Sequence, residues 1–320
     1  MKLCVAIPTY NRRDKLKQTL GYLMQQTCDE FDVVISDNCS EYDVSEILEL
    51  FPPEFKHRIH VYRNKFNIGM SGNIASLFQK ADAEWCWFLS DDDFPDENAI
   101  KNILDDISSY EDDGVSVIQY PHFDIKRDMA NEYAVMSGLE DYISYFQKLN
   151  KRGVPISEIQ GTLIYMSNKV YRISEIAEYI RFAYDYCNTG IPQVIPILKA
   201  LDDGVIKMLL HNRPIVKYNN DGKESWNVRT VALGVSTIRN LPLSINIEKK
   251  RQLWYLLMIR YRVVLRDYVK RNCSDFDYLK YLFDNIYMDI LEAEHLKYYE
   301  EVLNRAKLGM EKEYIRETLL

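Results

Sequence analysis

Residues 85 to 98 read WCWFLSDDDFPDEN, in which a run of aromatic and aliphatic side chains ends in three consecutive aspartates. The apolar run predicts a short buried strand, with Asp91, Asp92 and Asp93 at its carboxyl end. Two unit charges about 4 Å apart repel by about 4 kcal/mol at an effective dielectric constant of about 20, so the triplet is unfavourable without a cation or strong solvation. It therefore predicts a cation site. The alternative is a solvated loop in which Asp93 or Asp96 caps the next helix.

Strand-like and helix-like segments alternate around this stretch. Residues 2 to 7 predict a strand and residues 11 to 26 a helix with Asn11 as its N-cap, because apolar side chains recur there at helical spacing. The further predicted strands are 31 to 36, 58 to 63, 85 to 90 and 115 to 120, and the further helices are near 43 to 51, 71 to 81 and 96 to 109. Such alternation predicts an α/β protein with a mostly parallel sheet, whose ligands gather at the carboxyl ends of the strands.

The chain after residue 121 is less regular. A strand is predicted over residues 161 to 167 and helices near 169 to 181 and 191 to 201. Short strands are predicted near 205 to 210 and 214 to 218. From about residue 228 the sequence is dense in Tyr, Leu, Lys and Arg, which predicts an appended helical segment.

The amino-acid composition argues against several classes of protein. The 320 residues are 47% hydrophobic and carry a formal net charge of −8, which argues against a nucleic-acid-binding surface. The six cysteines include no CxxC pair, so neither a structural zinc nor a disulfide framework is indicated. We find no signal-peptide pattern and no apolar run of about 18 residues, so we expect a cytoplasmic protein.

Several enzyme classes with acids at strand ends lack their motifs here. The first strand ends in IPTYNR, without the nucleophilic aspartate of a haloacid-dehalogenase-type phosphatase or the glycine-rich loop of a sugar nucleotidyltransferase. The sequence also contains no GxGxxG, GxxxxGK[ST] or GxSxG motif. Without a phosphate-cradling loop, a diphosphate needs neutralisation mainly by a metal. The aspartates therefore predict Mn²⁺ or Mg²⁺ together with a phosphate-bearing substrate.

Four stretches occur in an order and spacing that resemble a known family. They are VAIPTYNR (5 to 12), VVISDNCSEYD (33 to 43), RNKFNIGMSGN (63 to 73) and WFLSDDDFPDENAI (87 to 100). Together they resemble the inverting family-two glycosyltransferases, and the likeness covers about residues 1 to 120. The chain looks most like bacterial O-antigen and capsule transferases, the abequosyltransferase-like branch included. The resemblance implies the GT-A fold, a Rossmann-like and mostly parallel sheet, with a helical C-terminal extension.

The resemblance also implies which residues bind the nucleotide of a nucleotide-diphosphate sugar donor. Asp37 would accept a hydrogen bond from the base, and Asp91 would lie near the ribose. The remaining residues line the base pocket or run under the base and diphosphate: Pro8, Thr9, Tyr10, Arg12, Asn67, Gly69 and Asn73. Alternative interpretations are that Tyr10 belongs to the core, Gly69 to a simple turn and Asn73 to an exposed helix face.

The metal motif of the family is Asp, any residue, Asp. An ungapped match places Ser90, Asp91 and Asp92 on this triplet, which makes Asp92 the preferred metal ligand. Counting Asp91 to Asp93 as the triplet transfers that role to Asp93. The implied cofactor is Mn²⁺ or Mg²⁺, which offsets the charge that develops on the departing diphosphate.

The catalytic base is the part of the family pattern that this sequence lacks. The implied reaction is a single displacement in which a carboxylate deprotonates the acceptor hydroxyl, commonly the Asp of a Glu-Asp pair that opens a helix. Gln193 or its neighbours stand where that pair is expected, and glutamine is not a base. Asp185 is the first candidate and Glu158 the second. The alternative for each is an ordinary surface acid.

The resemblance implies three regions and a set of partners. Residues 1 to 120 would bind the nucleotide sugar, residues 121 to 225 the acceptor, and residues 226 to 320 form the helical segment. The acceptor would be a glycan or lipid-linked saccharide of bacterial surface polysaccharide synthesis, and the enzyme a hexosyl- or deoxyhexosyltransferase. The alternative function is a nucleotide-sugar-binding protein with weak or no transferase activity.

The helical segment carries one further prediction. Residues 249 to 272 interleave apolar, aromatic and basic side chains, which is typical of a helix that lies on the anionic inner face of a membrane. The alternative is a helix that docks its apolar side on the catalytic domain and leaves Lys and Arg solvated.

Overall fold

The computed structural model of the chain describes residues 2–122, 134–218, 228–258 and 276–282, together with 284–285, 300 and 304. The chain divides into two compact units. The first consists of Met1–Cys187 and Ile191–Gly222, and the second of Asn188–Gly190 and Lys223–Leu320.

A mixed, mostly parallel sheet forms the centre of the first unit. The strands of this unit are β1 (Leu3–Thr9), β2 (Asp32–Asp37), β3 (Ile59–Arg63), β4 (Trp85–Phe88), β5 (Phe94–Pro95), β6 (Val115–Gln119), β7 (Ala134–Met136), β8 (Lys169–Arg172), β9 (Lys207–Leu210) and β10 (Val216–Lys217). Eight of them pair in the order β3-β2-β1-β4-β8-β6-β9-β7, and β10 pairs with β5. The predicted α/β class is confirmed.

The direction of the strands decides where polar side chains can meet. Strands β1, β2, β3 and β4 are parallel to one another. Strand β8 is antiparallel to both β4 and β6, and β9 runs parallel to β6. The carboxyl ends of β1, β2, β4, β6 and β9 and the amino end of β8 therefore lie at one edge of the sheet.

Helices cover the sheet, and their apolar side chains pack on it to form the core. Those of the first unit are α1 (Arg13–Met24), α2 (Val44–Leu48), α3 (Pro53–Lys56), α4 (Gly69–Lys80), α5 (Ala99–Tyr110), α6 (Leu139–Lys151), α7 (Ile156–Ile164), α8 (Ile173–Ile176), α9 (Ile180–Asp185) and α10 (Ile195–Asp202). Leu16, Leu20 and Leu23 recur at helical spacing in α1 and are buried with the strands in one apolar core. This periodic burial is why the amino-terminal elements were predictable.

Three local predictions are wrong. Residues 161 to 167 are not a strand: they form the end of helix α7 and the segment that follows it. The strand of this region is β8, which occupies the first residues of the predicted helix 169 to 181. A short apolar run does not distinguish helix from strand, and here pairing of β8 with two neighbours decides the outcome. Asn11 is not the N-cap of α1, because its φ is 53° and its Oδ1 atom accepts the backbone N–H of Glu41.

The second unit is helical where it is described. Its helices are α11 (Val228–Ser236), α12 (Ile247–Leu257) and α13 (Phe276–Leu282). The predicted membrane-contacting helix of residues 249 to 272 begins inside α12, and residues 259 to 272 lie outside the described residues. Within the described part of the chain, no helix is both long and apolar enough to cross a membrane.

Candidate functional site

Three aspartates, Asp91, Asp92 and Asp93, follow β4 and are called the acidic tip here. Asp91 is only 3% exposed. Its Oδ2 atom accepts the hydroxyl of Thr9 at 2.7 Å, and its Oδ1 atom accepts Nη1 of Arg12 at 2.9 Å. Burial raises the pKa of Asp91 to about 6, although the guanidinium of Arg12 acts in the opposite direction. The structure thus joins three residues that the sequence assigned to the nucleotide.

Asp92 is paired through both of its carboxylate oxygens. Its Oδ1 atom accepts the hydroxyl of Ser90 at 2.6 Å. Its Oδ2 atom accepts Nη1 of Arg12 and Nζ of Lys15, each at 3.1 Å. Sequence reasoning missed Lys15, although the first turn of α1 places it near Arg12. Two cations therefore already compensate part of the repulsion among the aspartates.

Asp93 connects the acidic tip to the segment before β8. It is buried, and its Oδ2 atom accepts the hydroxyl of Ser167 at 2.5 Å. The same Ser167 oxygen accepts the backbone N–H of Ser90 at 2.9 Å, and the indole of Trp87 donates to the Ser167 carbonyl at 2.8 Å. Ser167 was missed because its partners lie far away in the sequence.

Whether the acidic tip fits a divalent cation depends on its donor set. Within the described residues, no three side chains of the His, Cys, Asp and Glu types are grouped to hold a metal. Mg²⁺ and Mn²⁺ are, however, often bound by one or two carboxylates with substrate phosphates and water. Asp92 is 17% exposed at its side chain and offers oxygen donors of this kind. The acidic tip therefore fits such an ion if one or two of its carboxylates bind the ion and the substrate supplies further ligands. The ion would then replace Lys15 as the partner of Oδ2 of Asp92.

Asp37, at the end of β2, lies in a second polar pocket at the same sheet edge. It is fully buried, and its Oδ1 atom accepts the backbone N–H of Ser40 at 3.0 Å. Nη1 of Arg63 is 3.0 Å from Oδ2, but this contact lacks hydrogen-bond geometry, so within the described residues Oδ2 has no hydrogen-bond donor. A buried carboxylate oxygen without a donor suits an N–H group of a ligand. Arg63 is a neighbour that the sequence reasoning did not assign.

An asparagine network connects β2 with the start of α4. Asn73 is buried, so its interpretation as an exposed helix residue is wrong. Its Oδ1 atom accepts the hydroxyl of Ser36 at 2.6 Å, and its Nδ2 atom donates to the Ser36 carbonyl at 2.9 Å. Asn67 accepts the backbone N–H of Gly69 at 2.8 Å, and Gly69 has a φ of +78°, a left-handed conformation that favours glycine. These contacts order the turn into α4.

The remaining predicted pocket residues belong to the end of β1. Pro8 is half-buried and pairs in register with Ser36 of β2. Tyr10 is 42% exposed, so its interpretation as a core residue is wrong. The edge of the sheet that carries Asp37 and the acidic tip thus also carries the end of β1, with Pro8 and Thr9, and the residues Tyr10 and Arg12 that follow it.

Glu158 lies at this edge in a polar and aromatic cluster. Its Oε2 atom is 3.2 Å from Nδ1 of His122, which follows β6. The rings of Tyr165 and Tyr218 have their centroids 4.7 and 4.3 Å from that of His122. We call the surroundings formed by Gly161, Tyr165 and Tyr218 the His122 slot. Sequence reasoning proposed Glu158 but missed the other members, which come from three separate segments.

The negative charge of Asp93 in the acidic tip affects the tyrosines of the His122 slot. Burial raises the pKa of Tyr165 and of Tyr218, and the negative charge of Asp93 raises both further. Burial lowers the pKa of His122, against the opposing effect of Glu158. The Tyr218 hydroxyl is buried without a hydrogen-bond partner among the described residues. A polar group in this state is a candidate ligand contact.

Asp185 has a different environment. It is exposed, and it ends α9, which packs on α4 and α10. Gln193 is buried, and its Nε2 atom donates to the carbonyl of Ile164 at 2.6 Å. No contact of Asp185 with the acidic tip is present among the described residues, so the structure brings Glu158 but not Asp185 into the polar cluster.

Comparisons with known proteins agree with this fold. The structure of S. aureus TarS 1-349 in complex with UDP-GlcNAc superposes with a TM-score of 0.60 at 16% identity, covering 96% of this chain and 88% of that one. Identity at this level shows a shared fold. The predicted GT-A fold is confirmed.

Curated relatives include abequosyltransferase RfbV of Salmonella typhimurium, 23% identical over 229 residues, which are 69% of this chain and 67% of the relative. The GalNAc(5)-diNAcBac-PP-undecaprenol beta-1,3-glucosyltransferase of Campylobacter jejuni is 25% identical over 92 residues. That match spans only 30% of the relative. The family model described as Glycosyl transferase family 2 matches residues 4–173, more than half of the chain. The chain therefore belongs to glycosyltransferase family 2 and is a glycosyltransferase.

Proposed function

We propose that the protein transfers a sugar, with inversion, from a nucleoside-diphosphate sugar to a hydroxyl of a glycan or lipid-linked oligosaccharide in bacterial surface polysaccharide synthesis. One observation carries the proposal: Asp37 and the acidic tip lie at the same edge of the sheet, at the ends of β2 and β4. A nucleoside diphosphate has a base, a ribose and a charged diphosphate that suit such a row of polar groups.

The proposed donor contacts follow from the state of each side chain. Oδ2 of Asp37 accepts an N–H of the base, because within the described residues its neighbour Nη1 of Arg63, at 3.0 Å, makes an ion pair without hydrogen-bond geometry. Asp91 lies at the ribose. Arg12 and Lys15 have cationic groups 3.1 Å from Asp92, so both are close enough to share their charge with a diphosphate at the acidic tip. UDP-GlcNAc in the TarS complex makes a uridine-diphosphate sugar the first donor to test.

We further propose that Mn²⁺ or Mg²⁺ binds Asp92, with Asp93 as the second candidate ligand. When bound, the ion offsets negative charge on the departing diphosphate. The chain's own residues orient this site: Ser90 fixes Oδ1 of Asp92, and Ser167 fixes Oδ2 of Asp93. Binding of the ion competes with Lys15 for Oδ2 of Asp92, so metal affinity should rise when a donor diphosphate attracts Lys15.

The acceptor base is proposed in the His122 slot. Of the two acids that the sequence offers for this role, Glu158 belongs to that slot through its 3.2 Å contact with Nδ1 of His122, whereas Asp185 is exposed at the end of α9. The names of the Salmonella and Campylobacter relatives support a saccharide acceptor, in the second case on a polyprenyl diphosphate. The division into residues 1 to 120, 121 to 225 and 226 to 320 and membrane contact through residues 249 to 272 stay predictions.

The test is release of nucleoside diphosphate from a panel of UDP-, GDP-, CDP- and dTDP-sugars, with water or simple glycosides as acceptors and with Mn²⁺ or EDTA. We expect turnover with one donor, lost in Asp92→Ala and kept in Asp105→Ala, an exposed acid on α5. Binding of a donor without turnover for any acceptor would instead support the nucleotide-sugar-binding alternative.

A further inference from the structure

The His122–Glu158 pair has the geometry of a histidine base with a carboxylate that orients it. Nδ1 of His122 is 3.2 Å from Oε2 of Glu158. A carboxylate only accepts hydrogen bonds, so Nδ1 carries the proton and Nε2 presents a lone pair. Within the described residues, Nε2 has no hydrogen-bond partner. The pair thus resembles the histidine and carboxylate of hydrolytic triads in its chemistry.

The surroundings hold the imidazole ring in one place. The backbone N–H of His122 donates to the hydroxyl of Thr162 at 3.0 Å, and that hydroxyl donates to the carbonyl of Glu158 at 3.1 Å. Below the ring is Gly161, where an added Cβ would lie 2.7 Å from the ring atoms Cγ and Nδ1. The ring therefore has a fixed position relative to helix α7, which carries its partner Glu158.

The ring remains accessible. The side chain of His122 is 20% exposed and that of Glu158 36% exposed, so a substrate hydroxyl can approach the pair. Tyr165 packs beside the ring and is 39% exposed, and Tyr218 packs beside it with a buried hydroxyl that has no hydrogen-bond partner within the described residues. Aromatic faces with polar tips suit the apolar faces and hydroxyls of a sugar ring. This chemistry indicates a saccharide acceptor.

We propose that His122 is the catalytic base of the transfer and that Glu158 is its positioning residue. The proposal rests on the proposed transferase function and takes the role that the missing Glu-Asp pair leaves open. The acceptor oxygen forms a bond to the anomeric carbon while the bond from that carbon to the diphosphate oxygen breaks. The electron pair of the broken bond stays on the diphosphate. The acceptor proton passes to Nε2 of His122, and the imidazolium so formed is stabilised by Glu158.

The protonation states agree with this role. Burial lowers the pKa of His122, so the ring is neutral and ready to accept a proton near neutral pH. Among the described residues, the charged or titratable groups that act on the ring or on the tyrosines packed against it are Glu158 on α7, Tyr165 after α7, Tyr218 after β10 and Asp93.

The first test is the tautomer of His122, read by ¹⁵N nuclear magnetic resonance on the full chain labelled at its five histidines. His122→Gln assigns the signal. We expect a protonated Nδ1 and an unprotonated Nε2, retained in Glu158→Gln, whose amide oxygen still accepts, and lost in Glu158→Leu. A protonated Nε2 in the wild type would overturn the proposal, whatever the outcome for donor turnover.

The second test is the rate of nucleoside-diphosphate release with the best donor of the panel. His122→Gln should lower the rate by about 10²- to 10⁴-fold while the nucleoside diphosphate still raises the melting temperature. The matched control is His60→Gln, an exposed histidine on β3. Added imidazole should restore part of the rate in His122→Ala. A His122→Gln rate within about threefold of the wild type would refute the proposed role, since removing a general base costs about 10²-fold or more.

These two tests separate the two proposals. If the wild type neither binds a nucleoside diphosphate nor releases one, the transferase function fails, and the tautomer still reports on the pair. If donor binding and turnover are normal but His122→Gln is fully active, the transferase function stands and the assignment of the base fails.

Discussion

The variant Gly161→Ala tests whether the His122 ring packs on Gly161 of helix α7. Its effect has to be distinguished from the general effect of alanine on helix stability. Alanine in place of glycine stabilises a helix interior by about 0.8–1.0 kcal/mol. At Gly21 in α1 an added Cβ has nothing within 4 Å, so Gly21→Ala should gain this amount. A gain of about 1 kcal/mol raises the melting temperature of a domain of this size by about 2–4 °C.

At Gly161 the added Cβ lies 2.7 Å from Cγ and Nδ1 of His122. Ordinary carbon contacts begin at about 3.5 Å, so the ring must move by about 0.8 Å or more. Overpacking of this kind costs about 1–3 kcal/mol, which cancels or exceeds the helix gain. We expect Gly161→Ala to melt about 2–12 °C below Gly21→Ala.

Turnover gives the second reading of this pair of variants. A displacement of about 1 Å in a reacting group costs about 10²-fold in rate, so Gly161→Ala should release nucleoside diphosphate about 10²-fold more slowly than Gly21→Ala. Both variants should bind the nucleoside diphosphate alike. Equal stabilisation and equal turnover of the two variants would show that the His122 ring does not lie over Gly161.

Three other buried groups give further predictions. Lys169 is fully buried and donates to the carbonyl of Tyr165 at 2.7 Å, so Lys169→Met should cost about 1–3 kcal/mol in urea unfolding, against about 0.5 kcal/mol or less for exposed Lys101→Met. Burial raises the pKa of Tyr142, whereas tyrosines in the unfolded chain ionise near pH 10. Tyr142 should therefore lower the free energy of unfolding by about 1.4 kcal/mol per pH unit above about pH 10, and Tyr142→Phe should remove this slope. Arg12→Met leaves buried Asp91 without its 2.9 Å partner and should cost about 1–3 kcal/mol in urea unfolding. Lys15→Met should cost less, because its partner Asp92 is partly exposed; equal costs would contradict this ranking.

The amino-terminal half of the fold was predictable because its signals are local. Helical spacing of leucines in α1, short apolar strands and polar residues directly behind them place Asp37 and the acidic tip at one sheet edge without any long-range information. Sheet direction alone brings these residues together, because parallel strands end at the same edge.

The rest depends on contacts between distant segments. His122 and Glu158 are 36 residues apart, and neither has a distinctive sequence around it. The sequence predicts a helix where strand β8 lies, because the four residues of β8, Lys169 included, gain their strand conformation from pairing with β4 and β6. A buried lysine in a central strand contradicts the usual apolar pattern, and its three acceptors explain it: the carbonyls of Thr162 and Tyr165 and the side-chain oxygen of Asn168.

Calorimetric titration of the full chain with UDP, CDP, GDP and dTDP, each with and without Mn²⁺, tests directly whether Asp37 and the acidic tip bind a nucleoside diphosphate. We expect one of these nucleotides to bind at one site per chain, more tightly with Mn²⁺. We also expect Asp37→Leu, which leaves no acceptor oxygen for an N–H of the base, to weaken binding, and Asp92→Ala to remove the effect of the metal. Absence of binding by all four nucleotides, with and without Mn²⁺, would contradict the claim that Asp37 and the acidic tip together hold a nucleoside-diphosphate sugar.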